Sequence, residues 1–150
     1  SLLDHIHEAN VRNCLDWRQA WAKGTDGRVY PTLFQHPPDP EKGVGEGDFI
    51  VTLPPVKAGE RLVLHFGTVV NGPTHDGVRM SIRVADRELW AETQTEANQP
   101  ADHGLDLSAF AGQTIVLTLR VDAQANVIGD WSNWLRPMVL VEQPESTTTP

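Results

Sequence analysis

The chain has a single cysteine, Cys14, so it has no internal disulfide. No apolar run approaches the roughly 20 residues that a membrane-spanning helix requires, which argues against membrane insertion. No segment has the basic and apolar pattern of a signal peptide either, so we read the chain as a mature protein or as a piece of a longer one. Its 150 residues are enough for one domain that is stable on its own hydrophobic core.

Positive charge is also scarce. The 12 Lys and Arg residues are outnumbered by 20 Asp and Glu residues, which gives a formal net charge of −8 and a pI of about 5.1. No basic stripe offsets this charge, so a polyphosphate would be repelled and nucleic-acid binding is not expected. An acidic surface is compatible with neutral ligands and with cations.

Long helical periodicity is missing from residues 48–143, where short apolar segments alternate with turns rich in glycine, proline and aspartate. The predicted strands cover residues 48–53, 61–66, 78–84, 89–92, 114–121 and 138–141, with a hairpin turn at 85–88. Six or more short strands without intervening helices favour an all-β sandwich over a parallel α/β sheet.

The secondary structure of the N-terminal third is harder to predict from its sequence. Ser1 is predicted to cap a short helix, whereas residues 14–23 fit a helix or a strand equally well. Residues 25–28 predict a turn, and the segment 36–47 predicts a surface loop because it is rich in proline, glycine and acids.

The C-terminal residues 144–150 have the composition of the start of a Pro/Thr-rich linker. We therefore expect one sandwich domain over residues 1–143. The linker composition further indicates that this domain is joined to another one in the full-length protein.

Three segments, in order, resemble the galactose-binding-like β-sandwich (jelly-roll) modules appended to secreted bacterial polysaccharide-active enzymes. They are residues 76–84 (DGVRMSIRV), 105–117 (LDLSAFAGQTIVL) and 130–137 (DWSNWLRP). The resemblance spans about residues 61–141, and Met80 departs from it because an aromatic residue is usual there. It implies a jelly-roll fold, a secreted location, a non-catalytic sugar-binding role and often a structural calcium ion. Since this sandwich supports many functions, the fold alone does not decide among them.

Sugar binding requires an aromatic face that packs on the apolar side of a pyranose ring, and polar side chains that form hydrogen bonds with its hydroxyls. Of the five tryptophans, Trp90 and Trp131 are our candidates for stacking. Trp90 follows Leu89 in a strand, so the two point to opposite faces, and Trp131 lies where alternation is broken. The alternative for both is burial in the core or in a domain contact.

The other three tryptophans are predicted to be structural. Trp134 corresponds to the residue that packs beneath the last strand in the similar modules. Trp17 and Trp21 are four residues apart, so they share a face on a helix and on a strand alike, and the core is favoured for both.

The polar candidates for ligand binding are Asn71, His75, Asp76, Arg79 and Arg83. The first three lie in a loop predicted over residues 67–77, at one end of the sandwich. The two arginines share the polar face of one strand, from which they can reach hydroxyls or a uronate. The alternatives are that Asp76 only caps its turn and that the arginines form a solvated sheet face paired with acids.

A metal site is expected only for calcium. The six histidines lack the spacing of a zinc site such as HExxH, whereas calcium prefers carboxylate and carbonyl oxygens of the kind found in acid-rich turns. Expecting the N-terminal and final strands to be neighbours, we predict Asp16, Asp26 and Glu142 as candidate ligands. Asp130 is expected instead to brace its own loop through backbone N–H groups.

No catalytic motif is present: the sequence lacks GxSxG, a P-loop and a GxGxxG after a strand. With 20 acidic residues, a glycosidase-like pair of carboxylates would occur by chance, so the number of acids supports no enzyme. The favoured hypothesis is a non-catalytic carbohydrate-binding module that targets a larger secreted protein to a polysaccharide or oligosaccharide. The alternatives are a structural or protein-interaction sandwich without a sugar site, and a glycoside hydrolase or lyase domain.

Overall fold

The computed structural model describes residues 1–37, 43–72, 77–124 and 131–144, which form two five-stranded antiparallel sheets. The strands are β1 (Asn10–Arg12), β2 (Asp16–Lys23), β3 (Val29–His36), β4 (Gly45–Thr52), β5 (Arg61–Asn71), β6 (Val78–Val84), β7 (Arg87–Gln94), β8 (Ala101–Asp106), β9 (Thr114–Asp122) and β10 (Trp131–Glu142). Short 3-10 helices cover Leu2–Glu8 and Ser108–Phe110. The predicted all-β sandwich is confirmed.

We name the two sheets A and B. Sheet A has the strand order β1-β4-β9-β6-β7, and sheet B has the order β2-β3-β10-β5-β8. Their inner faces enclose one core of aliphatic and aromatic side chains from both sheets. The strict alternation predicted for β6 is confirmed, because Val78, Met80, Ile82 and Val84 are buried and the two arginines between them lie on the other face.

Several strands are longer than predicted, and the differences are largest for β5 and β10. Strand β5 continues to Asn71, into the segment predicted as a loop, and Thr68, Val69 and Val70 are all buried. Because both faces of the strand are covered there, the sequence shows no alternation. Strand β10 begins at Trp131 rather than at residue 138, since a bulge between Leu135 and Met138 interrupts its pattern.

The N-terminal third adds strands that the sequence left undecided. Residues 16–23 and 29–36 form the β2–β3 hairpin, and the predicted turn is confirmed by a hydrogen bond from the Gly24 N–H to the Arg28 carbonyl at 2.9 Å. Ser1 caps the first 3-10 helix, as predicted, by accepting a hydrogen bond from the Leu3 N–H at 3.2 Å. Strands β1, β3 and β8 had no counterpart in the prediction.

Trp134 and Trp17 pack in or against the core. Trp134 is fully buried, with 0% exposure, and its indole N–H donates to the Gln35 side chain at 2.9 Å, which confirms its structural role. Trp17 packs over Gly47 on sheet A, so its prediction as a core residue is also confirmed. Within the described ranges no helix is long and apolar enough to cross a membrane.

Candidate functional site

The outer face of sheet B carries the candidate site. Residues directly opposite each other in antiparallel strands share a face, so Arg18, Phe34, Asn133 and Val69 form one row across β2, β3, β10 and β5. The neighbouring row, which includes Trp134, points into the core. The Arg18 row therefore faces away from the core.

A groove of about 410 Å³ opens on this face beside the start of β10. We call it the tryptophan groove; its walls include Arg18, Trp21, Phe34, Asn71, Trp131 and Asn133. Trp131 is 46% exposed and Trp21 is 64% exposed, so both indoles present a large apolar surface to solvent. The prediction that Trp21 belongs to the core is therefore wrong. Trp21 lies near the end of edge strand β2.

Two amide side chains are held in fixed orientations in the groove. The Asn133 amide donates to the Asn71 side-chain oxygen at 2.8 Å and accepts from the Thr32 hydroxyl at 2.8 Å. Asn71 in turn donates to the Asn98 side chain at 2.8 Å. An amide has two donor hydrogens and two acceptor lone pairs, so the bonds to the described residues leave Asn71 one hydrogen-bonding position of each kind.

The opposite side of the groove combines an arginine with a flat ring. The guanidinium of Arg18 lies over the Phe34 ring, 4.8 Å from its centroid, and its Nε donates to Asp16 at 2.9 Å. The guanidinium has five N–H donors, so its remaining hydrogens point to solvent at the groove edge. The groove therefore offers aromatic surface and hydrogen-bond donors and acceptors in one hollow.

Of the predicted ligand-binding residues, the structure brings Trp131 and Asn71 together. They are directly opposite each other on β10 and β5. Trp90 lies elsewhere. It faces inward from edge strand β7 and is half-buried. The centroid of its ring lies 4.9 Å from that of Phe66 and 4.8 Å from that of His103. Its indole is thus a packing element between the sheets. His75, Asp76 and Asp130 fall outside the described residues.

Arg79 and Arg83 lie on the outer face of sheet A, on the far side of the sandwich from the groove. Arg79 donates two hydrogen bonds to Glu88, at 2.7 and 3.0 Å, which raises the pKa of the arginine further and lowers that of Glu88. For Arg79 this matches the alternative of a charged face paired with acids, whereas the buried Nε of Arg83 has no hydrogen-bond partner among the described residues.

The predicted calcium ligands do not converge. Asp16 and Asp26 flank opposite ends of β2, and seven steps of about 3.3 Å separate the strand ends by roughly 23 Å. Asp26 accepts hydrogen bonds from Tyr30 and the Arg28 N–H, and Glu142 pairs with His65 at 2.7 Å. The described part of the chain holds no group of three His, Cys, Asp or Glu side chains suited to a metal. Calcium stays a prediction from the resemblance, without a set of ligands.

Sequence reasoning did not identify Arg18, Phe34 and Asn133 as groove residues. Arg18 and Phe34 become predictable as neighbours only when residues 14–23 are assigned as a strand, because pairing with β3 then places Arg18 opposite Phe34. Asn133 lies between two tryptophans in the quoted segment 130–137, and strand periodicity from Trp131 would have put it on the same face as that tryptophan.

No family model and no curated protein matches this sequence. Solved structures do match it. The tandem CBM51 modules of Sp3GH98 from Streptococcus pneumoniae SP3-BS71 align with 95% of this chain at a TM-score of 0.55 and 10% identity, and the chain spans 50% of their length.

Two single modules give similar values. TmCBM61, in complex with β-1,4-galactotriose, has a TM-score of 0.58 and 16% identity over 91% of this chain and 90% of its own. CBM27-1 from Caldicellulosiruptor saccharolyticus, in complex with mannohexaose, has a TM-score of 0.52 and 12% identity over 90% and 86%. The chain has the β-sandwich fold of carbohydrate-binding modules. This confirms the fold that the resemblance implied, and at such low identity the likeness concerns the fold alone.

Proposed function

We propose that this protein is a non-catalytic carbohydrate-binding module whose tryptophan groove binds a neutral polysaccharide or oligosaccharide. The observation that carries the proposal is the position of the exposed Trp131 indole directly opposite Asn71, whose amide is fixed by Asn98 and Asn133. An indole face packs against the C–H side of a pyranose, while the amide exchanges hydrogen bonds with its hydroxyls.

The groove is organised before any ligand arrives. The chain Thr32–Asn133–Asn71–Asn98 is hydrogen-bonded from end to end, so binding does not have to order these side chains. Avoiding that ordering matters because association already loses translational and rotational freedom. A single groove of this size still predicts weak binding to short sugars.

The fold comparisons support the same conclusion. The matched structures are carbohydrate-binding modules by name, and two of them contain galactotriose or mannohexaose. By the same reasoning, the module would hold a larger secreted protein against its polysaccharide and raise the local concentration of that substrate by linkage.

The test is an affinity-gel screen across plant, algal and microbial polysaccharides, with and without a chelator. Wild type should be retarded by at least one neutral polysaccharide. Trp131→Ala should lose most of the retardation, since its stacking surface is gone, and Trp131→Phe should keep part of it.

Ile50→Ala is the matched control, because Ile50 is 79% exposed on the outer face of sheet A, away from the groove. It should behave as wild type. Equal retardation of wild type and Trp131→Ala on every gel would rule out the groove as the binding site.

A protein-contact role is the second candidate. Two exposed indoles, Trp21 and Trp131, border one groove, and tryptophan is enriched at protein interfaces. A folded protein that no polysaccharide retards would favour this function over sugar binding.

A further inference from the structure

A second hollow, of about 370 Å³, opens on the outer face of sheet B, farther along the strands from the tryptophan groove. We call it the tyrosine pocket; its walls include Thr25, Asp26, Tyr30, Gly67, Asp102 and Arg136. A small apolar cluster of Ala22, Val69 and Leu135 separates it from the tryptophan groove. Along β5, for example, Asn71 belongs to the groove, Val69 to the cluster and Gly67 to the pocket.

The tip of the β2–β3 hairpin forms one wall of this pocket by folding across the sheet. Strands β2 and β8 are opposite edges of sheet B, about 19 Å apart in a flat sheet with 4.8 Å between strands. The Thr25 hydroxyl at the hairpin tip nevertheless donates to the Asp102 carboxylate on β8 at 2.7 Å. The pocket is therefore enclosed between the hairpin and the sheet.

On the hairpin side of the pocket, Tyr30 holds two charged side chains in place. The Tyr30 hydroxyl donates to Asp26, whose pKa is lowered mainly by this bond, so Asp26 is a carboxylate at neutral pH. The Arg136 guanidinium lies over the Tyr30 ring, 4.6 Å from its centroid. Arg136 reaches this position from the bulge of β10, where its φ of 42° turns the chain.

Gly67 leaves the floor of the pocket open. A Cβ atom there would lie 3.0 Å from the Leu135 Cβ and 3.3 Å from an Asp102 carboxylate oxygen. A larger residue would therefore fill the space in front of the carboxylate. Each carboxylate has about four acceptor sites, and the Thr25 bond uses one of those on Asp102.

We propose that the tyrosine pocket is a second, independent binding site, and that it takes one neutral sugar unit through its hydroxyls. Its volume is at the lower end of small-ligand sites, which suits a single ring rather than a long chain. Asp26 and Asp102 accept hydroxyl protons, and Arg136 donates to hydroxyl oxygens. Two carboxylates and one guanidinium line the pocket, and its other groups that titrate near neutral pH are the imidazoles of His65 and His103. At a pH where both imidazoles are neutral, the pocket disfavours uronic acids and sulfated sugars.

The proposal does not depend on the tryptophan groove, so the experiment uses the Trp131→Ala protein, which lacks the groove's stacking ring. Amide ¹H–¹⁵N spectra are recorded during titration with galactose, glucose or mannose, and with galacturonic acid as the anionic counterpart. At least one neutral hexose should shift the amides of Thr25, Gly67 and Arg136, and galacturonic acid should bind at least ten times more weakly.

Two variants in the same background make the test specific. Asp102→Asn keeps an oxygen that accepts from Thr25, so the hairpin stays attached while the charge is lost, and hexose binding should weaken at least tenfold. Thr25→Val leaves both carboxylates but removes the hairpin contact, and it should weaken binding less than Asp102→Asn.

The proposal is overturned if no neutral hexose shifts these three amides, if galacturonic acid binds equally well, or if Asp102→Asn binds like its parent. The groove proposal and the pocket proposal can be overturned independently of each other. If Trp131→Ala leaves polysaccharide retention intact and Asp102→Asn removes it, the groove proposal is wrong and the pocket proposal stands.

Discussion

At the residue scale, two tryptophans three positions apart have opposite roles. Trp134 is fully buried and bonded to Gln35, whereas Trp131 is 46% exposed at the groove. Residues three apart on a strand point to opposite faces, so Trp131 lies on the outer face of sheet B when Trp134 points into the core. The sequence predicted the role of Trp134. It left Trp131 undecided only because the start of β10 at Trp131 was not foreseen.

Trp90 shows the limit of the same argument. Alternation predicted that Leu89 and Trp90 point to opposite faces, but both side chains pack against the core. The register of β7 against β6 shifts between Ile82 and Arg83, and Trp90 pairs with the buried Ile82. A register shift of this kind depends on the partner strand and is not encoded in the local pattern.

Gly47 is required where Trp17 crosses the core. A Cβ atom at Gly47 would lie 2.1 Å from the Trp17 ring, so Gly47→Ala forces that ring to move. We expect a loss of about 1–3 kcal/mol in the free energy of unfolding, measured by urea denaturation.

Gly104→Ala is the matched control, because its Cβ would meet the nearest described atom, on Val63, at 3.4 Å. It should cost clearly less than Gly47→Ala. Equal losses in the two variants would mean that Trp17 does not pack tightly on Gly47.

At the element scale, β6 was predicted accurately and the end of β5 was not. The bounds of β6 follow from its alternation, whereas β5 was cut short because Val69 and Val70 are buried on both faces. The β2–β3 hairpin was missed for a different reason. Its tip folds over sheet B, so its residues meet surroundings set by the tertiary fold and not by local periodicity.

The short edge strand β1 is attached to β4 by an ion pair whose strength depends on pH. Arg12 donates to both oxygens of Asp48, at 2.6 and 3.1 Å, and the Thr118 hydroxyl donates to the same carboxylate at 2.6 Å. Burial alone would raise the pKa of Asp48, but these hydrogen bonds outweigh it and hold the pKa below its ordinary value of 3.8. The pair therefore stabilises the fold above that value, and the contribution is lost as the pH falls through the lowered pKa.

We therefore expect Asp48→Asn to be less stable than wild type at pH 7, with a gap that narrows as the pH falls below about 4. Urea unfolding across this range measures the gap. Arg12→Gln removes the same pair from the other side and should show the same narrowing. A gap that does not change with pH would contradict this assignment of the ion pair.

At the scale of the whole molecule, the sequence predicted the fold better than the site. Composition, strand spacing and three short segments were enough for the all-β sandwich. The groove depends on which strands become neighbours: β3 lies between β2 and β10, and that order brings Arg18, Phe34 and Asn133 into one row. Of the predicted candidates, Arg79 lies on the other sheet from Trp131.

The charge distribution of the molecule agrees with a neutral ligand. Arginines on the outer face of sheet A, such as Arg12 and Arg79, are paired with acids, and the net charge is −8. The outer face of sheet B instead combines exposed aromatic rings with amides, carboxylates and two arginines stacked on rings.

The most direct test of the central claim is a titration of the five tryptophan indole N–H signals with the polysaccharide, or its oligosaccharides, that the gel screen retains. The Trp131 signal should shift progressively, while the signals of Trp134 and Trp17, whose indoles donate to Gln35 and the Ile6 carbonyl, should stay in place. A retained sugar that leaves the Trp131 signal unmoved would contradict the assignment of the tryptophan groove as the glycan-binding site.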